Sequence, residues 1–138
     1  MTDYVLDSFA LIAFLQNEPG GARVQELFAK AESGQTRLAM TVVNLGETLY
    51  VTYRRGGPAR FVDTLNLVPD LPLEMVDVDV SLAVTASRIK AVLPIAFGDC
   101  FAAALAIDRR ATVVTGDPEF ERLAHVIPIE WLPATESQ

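Results

Sequence analysis

A chain of 138 residues, 51% hydrophobic and 21% charged, has the composition of one folded domain, not of a disordered segment or of two full domains. The net charge of −7 excludes a protein that coats nucleic acid through bulk basic charge, but not an enzyme whose acids surround bound cations. A single cysteine, Cys100, excludes an internal disulfide and a cysteine-based zinc cluster, and fits a reducing compartment.

Tyr4 to Leu6 reads as a short apolar strand that stops at Asp7. Asp7 or Ser8 can cap the helix that follows to about Gln16, because a side-chain oxygen there accepts a free backbone N–H. Asn17-Glu18-Pro19-Gly20-Gly21 breaks that helix. Val24, Leu27, Phe28 and Ala31 recur at helical spacing, so a second helix is predicted over 22–31. Arg37 to Met40 is a second strand, and Thr41 is the expected N-cap of a helix over 42–55 with Gly56-Gly57 as its stop. Pro58 can begin the next helix, to about Leu67, and Pro69-Asp70-Leu71-Pro72 is a turn. Leu73 to Val76 is a third strand, with Glu74 near an edge, and 80–92 is helical with Asp79 as N-cap. A helix from about Gly98 to Arg109-Arg110 is apolar almost all round, which predicts a central buried helix. Ala111 to Thr115 is a fourth strand, Gly116-Asp117-Pro118 a turn into a short helix ending near Leu123, and 127–132 a last edge strand that tolerates Pro128. Strands alternate with helices throughout. The expected fold is a three-layer α/β/α sandwich around a mostly parallel sheet of roughly five strands, one domain over 1–132 with a tail at 133–138.

Within that frame four acids sit where solvent-facing acids would not be expected: Asp7, Glu47 within the helix over 42–55, Asp99 and Asp117. A parallel sheet brings the ends of its first and fourth strands to one edge, where ligands of open α/β sheets bind. Carboxylates gathered there repel one another unless protons or cations intervene. Hard oxygen ligands without a Cys or His cluster suit Mg²⁺ or Mn²⁺, so Asp7 is read as the anchor of an acidic metal site. Each acid also has an ordinary explanation. Asp7 and Asp99 can be helix caps, and Asp117 before Pro118 a turn residue. Glu47, flanked at helical spacing by Val43, Asn44, Tyr50 and Val51 on a mostly apolar face, has the poorest such explanation, because a carboxylate among apolar groups is costly unless paired or ligated.

The joint pattern Val5-Leu6-Asp7-Ser8, Asn44-Leu45-Gly46-Glu47, Gly98-Asp99-Cys100-Phe101-Ala102-Ala103-Ala104 and Val114-Thr115-Gly116-Asp117 resembles the PIN-domain ribonucleases, and especially the VapC-type toxins of bacterial toxin–antitoxin pairs. The likeness runs to about Trp131. It implies an Mg²⁺- or Mn²⁺-dependent endoribonuclease with Asp7, Glu47, Asp99 and Asp117 as its acidic quartet. Asp7 and Asp99 would be direct metal ligands with Asp117 assisting, and Glu47 would bind metal or position and deprotonate water. Thr115 matches a hydroxyl that steadies the site, and Ser8 has the same expected role. The resemblance further implies a structured RNA substrate such as tRNA or rRNA, a homodimer, and silencing by a cognate antitoxin.

Arg54 and Arg55 are candidate RNA-phosphate ligands, although Arg near a helix C-terminus also completes the dipole while staying solvated. His125 and Cys100 have no patterned partners and read as a surface imidazole and a buried thiol. The aromatics Phe9, Phe14, Phe28, Tyr50, Tyr53 and Phe101 are expected in the core or an interface, not as base-stacking platforms. The competing functions are a non-toxin RNA-processing nuclease of the same family and, from another class, a phospho-accepting signalling domain. The latter needs a Lys after a late strand, and only Lys30 and Lys90 are present, neither following one. No apolar run approaches the ~20 residues of a membrane span. With no basic-plus-apolar leader at the N-terminus, a soluble cytoplasmic protein is expected.

Overall fold

The first strand, β1 (Thr2–Leu6), is the middle of the sheet. In the computed structural model, which describes residues 2–134, the strand order is β3-β2-β1-β4-β5 and every pairing is parallel. The other strands are β2 (Thr36–Thr41), β3 (Glu74–Val76), β4 (Thr112–Thr115) and β5 (Ile129–Trp131). The sheet is therefore fully parallel. β5 begins after Pro128, whose carbonyl accepts from the Val113 N–H at 3.0 Å.

Side-chain alternation along β1 assigns the two faces. Val5 packs with Ala39 and Val113 against α4 (Val80–Val92) and α5 (Phe97–Arg109). Leu6 packs with Leu38, Met40 and Val114 against α1 (Ser8–Leu15) and α2 (Gly21–Glu32). Both Val5 and Leu6 are fully buried, as expected of a central parallel strand covered on both sides. In α5 every residue from Asp99 to Ala106 is buried, and its alanines let it lie close to β1 and β2.

Local chemistry explains most boundaries. Asp7 caps α1 by accepting from the Ala10 N–H at 2.9 Å, Thr41 caps α3 through Asn44 N at 3.1 Å, and Asp79 caps α4 through Leu82 N at 2.8 Å. α3 (Val42–Leu67) is broken where the sequence predicts a stop. Gly57 takes φ 75°, ψ −172°, a conformation that excludes most L side chains, and Pro58 begins the second half. The expected turn near Pro69 is a short 3₁₀ turn, Val68–Asp70, and another, Pro118–Leu123, follows β4. Of the expected tail, 133 and 134 have no regular structure and 135–138 lie outside the described residues. Among the described residues no helix is long and apolar enough to cross a membrane.

The topology fixes where a site can form. The chain builds β1, β2 and β3 outward in one direction, then crosses to β4 and β5 on the other side of β1. The direction reverses between β1 and β4, and the crevice beyond their carboxyl ends is where open α/β sheets bind ligands.

Candidate active site

Register places the first acid. Leu6 lies opposite Val114, so Asp7 emerges beside Thr115 although the two are 108 positions apart in the chain. The Thr115 hydroxyl donates to Asp7 Oδ2 and accepts from the Asp117 N–H at 3.0 Å. One hydroxyl thus ties the end of β1 to the turn after β4. Asp7 is 1% exposed. Burial pushes its carboxyl up to about 7, opposed by the bonds from Thr115 and Ala10 and reinforced by the charges of Asp117 and Glu47.

Asp99 corrects one expectation. It is not a cap, because Ala96 holds the N-cap position of α5 and Asp99 sits inside the first turn. It is buried, and its Oδ2 has no hydrogen-bond partner among the described residues. Burial first, and then the neighbouring Asp117 carboxylate, hold Asp99 well above the usual carboxylate range, with Asp7 and Glu119 adding to the effect. A buried carboxylate oxygen without a donor is costly. The helix dipole at this end favours its negative charge but supplies no bond.

Glu47 enters from α3. Asn44 Nδ2 donates to Glu47 Oε1 at 3.1 Å and to the Gly98 carbonyl at 3.1 Å. Asn44 is itself fully buried and oriented by Thr41, whose hydroxyl donates to Asn44 Oδ1 at 2.7 Å. This amide joins the start of α3 to the start of α5. The Glu47 carboxylate lies over Gly98, where any Cβ would overlap it. Ser8 also hydrogen-bonds Glu47, and burial outweighs both bonds, so the carboxyl is raised.

The turn after β4 carries two acids. Asp117 Oδ1 accepts from the Glu119 N–H at 2.9 Å, so Asp117 does occupy the turn-capping role open to it from sequence. Glu119 Oε1 accepts from the Ala96 N–H at 2.7 Å. Asp99, Asp117 and Glu119 can each present one oxygen such that all lie within 4.8 Å of one another.

All four expected acids therefore converge, each within the electrostatic reach of at least one other. Sequence reasoning missed Glu119 and the role of Asn44. The available signals were the spacing Asp117-Pro118-Glu119 in one tight turn, and Asn44 three residues before Glu47 on one helix face. The donor set fits a hard divalent cation: carboxylates only, crowded, with one buried oxygen lacking a donor.

The candidate phosphate ligands separate. Arg55 donates to Gln16 Oε1 at 2.7 Å and to Glu18 Oε2 at 3.4 Å, bracing α3 against the end of α1. Arg54 instead lies over the Tyr50 ring, 5.4 Å from its centroid. Tyr50 and Tyr53 are 51% and 49% exposed, so of the two expected places, core or interface, the core is ruled out for them. His125 is exposed and Cys100 buried, as read from sequence. Lys30 lies on α2 and Lys90 on α4, where Lys90 Nζ donates to the Ile95 carbonyl at 2.6 Å just ahead of α5. Both are inside helices, and neither follows a strand as the cation of a phospho-accepting pocket would.

A parallel three-layer fold whose acids meet at the topological switch point defines an α/β domain with a carboxylate cluster at its ligand-binding edge. The chain belongs to the PIN-domain family, whose pattern matches residues 4–126. Among solved structures it is similar to a DNA-bound VapBC complex from Salmonella typhimurium, at 28% identity over 94% of this chain and 98% of that one, with a TM-score of 0.76. It is similar to VapBC-5 from Mycobacterium tuberculosis, at 25% identity over 97% and 100% of the two chains and a TM-score of 0.64. It shares the fold of VapC20 from Mycobacterium tuberculosis, described as a sarcin–ricin-loop-cleaving toxin, at 15% identity over 96% and 99% and a TM-score of 0.73. Among curated protein sequences, none matches significantly.

Proposed function

We propose that this protein is a metal-dependent endoribonuclease and the toxin of a toxin–antitoxin pair, with its PIN domain spanning residues 1–132. The observation that carries the proposal is the partnerless buried oxygen of Asp99, set beside Asp117 and Glu119 at the β1/β4 crevice of a PIN fold. Asp7, Asp99 and Asp117 would hold Mg²⁺ or Mn²⁺, with Glu119 completing the set. When bound, such an ion lowers the pKa of a coordinated water and offsets charge on phosphoryl oxygens.

The chain's own groups do the rest. Glu47 is half-buried with a raised pKa, which suits it to take the proton of the attacking water. Asn44 and Ser8 hold Glu47 in place, and Thr115 holds Asp7 and the Asp117 backbone together. The reaction is in-line attack of water on a phosphodiester, with Glu47 receiving one proton and the leaving oxygen departing opposite. The named neighbours support the biology: one is described as cleaving the sarcin–ricin loop, and others were solved as VapBC complexes. Structured RNA, tRNA or rRNA, is the proposed substrate. A cognate antitoxin is the proposed partner, a homodimer the proposed assembly and the cytoplasm the proposed location.

The test is cleavage of total cellular RNA by the purified chain with Mg²⁺. Activity should vanish in chelator and in Asp99→Asn, while Asp70→Ala, an exposed acid on the 3₁₀ turn after α3, retains it. Undiminished cleavage in chelator, or by Asp99→Asn, refutes the proposal.

A further inference from the structure

We infer that Tyr50 and Arg54 form a nucleotide subsite on α3, where the base next to the cleaved linkage stacks on Tyr50 and its phosphate meets Arg54. This rests on the ribonuclease reading above. The buried stripe of the first half of α3 is Asn44, Thr48 and Thr52. Glu47, Tyr50 and Arg54 follow at i, i+3 and i+7, a spacing that places them within about 60° of one another around the helix, on a face turned away from that stripe. Glu47 is the acid over Gly98, so this face runs directly out of the site. At about 1.5 Å of rise per residue, Tyr50 stands about 4–5 Å and Arg54 about 10 Å along the axis from Glu47.

Two observations separate this pair from its surroundings. Tyr53, the neighbouring exposed tyrosine, packs edge-to-face on Phe61 at 5.6 Å across the Gly57 break, which gives it a structural task. Among the described residues the Tyr50 ring is met only by the guanidinium of Arg54. Arg54 in turn has no carboxylate within ion-pair distance among the described residues, whereas Arg23, Arg37, Arg55 and Arg109 all do. An acidic crevice on a chain of net charge −7 repels a polyanion, so a cation held at the rim of the site is what RNA needs to approach. An aromatic face with a guanidinium plane is the combination that binds unpaired nucleotides without requiring one particular base.

The experiment measures binding of a short fluorescein-labelled single-stranded RNA of mixed sequence, in chelator, on the Asp99→Asn background so that no cleavage intervenes. Cleavage by the active chain is followed in parallel. Tyr50→Ala should weaken binding about 5- to 100-fold, the loss expected for one stacked base. Tyr50→Phe should restore most of it. Arg54→Ala should reduce the slope of log affinity against log salt by about one, and Arg54→Lys should recover that slope. In the active chain both alanine variants should raise KM more than they lower kcat, and Arg88→Ala on α4 is the control for lost surface charge. A chain that cleaves RNA normally while Tyr50→Ala and Arg54→Ala bind it as tightly as the parent overturns the subsite alone. Failure of the parent both to bind and to cleave RNA overturns the ribonuclease reading and the subsite with it. Variants that bind RNA normally but no longer bind a protein partner assign the face to that partner and also overturn the subsite.

Discussion

Asp7→Asn should make the metal-free protein more stable and inactive at once. Asn caps a helix as well as Asp, so the bond from Ala10 N survives. What disappears is a buried charge. Raising a carboxyl from its ordinary 3.8 to about 7 corresponds to about 4 kcal/mol against the native state at pH 8, at roughly 1.4 kcal/mol per pH unit. The substitution costs something back, because the Thr115 hydroxyl loses its acceptor and must turn, a loss of about 1–2 kcal/mol. The net gain is about 2 kcal/mol at pH 8, or roughly 6–10 °C in Tm for a chain of this size. The folded pKa lies above the unfolded one, so the parent's stability contribution from Asp7 is whole below about 4 and is lost as pH rises through about 7. The advantage of Asp7→Asn should therefore shrink to near zero by pH 5. Mg²⁺ should narrow the gap at pH 8 by stabilising the parent selectively. Thermal melts at pH 5 and pH 8, with chelator or with Mg²⁺, read all of this. A variant no more stable than the parent at pH 8, or equally favoured at both pH values, refutes the account of Asp7 as an ionised group forced into burial.

Thr115→Val removes a bond that lowers the Asp7 pKa, so the acid limb of kcat/KM should move to higher pH, which a pH–rate profile measures directly. Gly98→Ala puts a methyl where the Glu47 carboxylate lies and should swing that flexible side chain aside, so denaturant unfolding should change by less than about 1 kcal/mol while most of the activity is lost. Phe120, fully buried in the turn that carries Asp117 and Glu119, should cost about 3–5 kcal/mol on substitution by Ala. Mg²⁺ affinity by calorimetry should fall in the same variant, because Asp117 and Glu119 lose their support; unchanged affinity would separate the turn from the site.

What the sequence determined by itself is what near neighbours along the chain decide. Thr41 and Asp79 are legible as caps because a cap bond reaches only three residues ahead. The break at Gly57-Pro58 is legible because φ preferences are local. The buried α5 is legible because an apolar run has few other places to go. The order of the acids also lay open to reading, and with it the family likeness. Tertiary structure decided the rest, because it depended on partners far away in sequence. Asp99 could be a cap until the fold put Ala96 in that position and left one Asp99 oxygen without a donor. Arg55 looked equivalent to Arg54 until α1 and the loop after it brought Gln16 and Glu18 within reach. Tyr50 could be core or interface until the buried stripe of α3 turned away from it and left it exposed. Glu119 had no visible role until the start of α5 presented the Ala96 N–H to it. Asp7 was marked by its place at the end of a strand, but only the pairing of β1 with β4 gave it Thr115 as a hydrogen-bond donor. A local pattern constrains backbone dihedrals over a few residues, whereas a site depends on strand register, which is settled when the whole sheet packs.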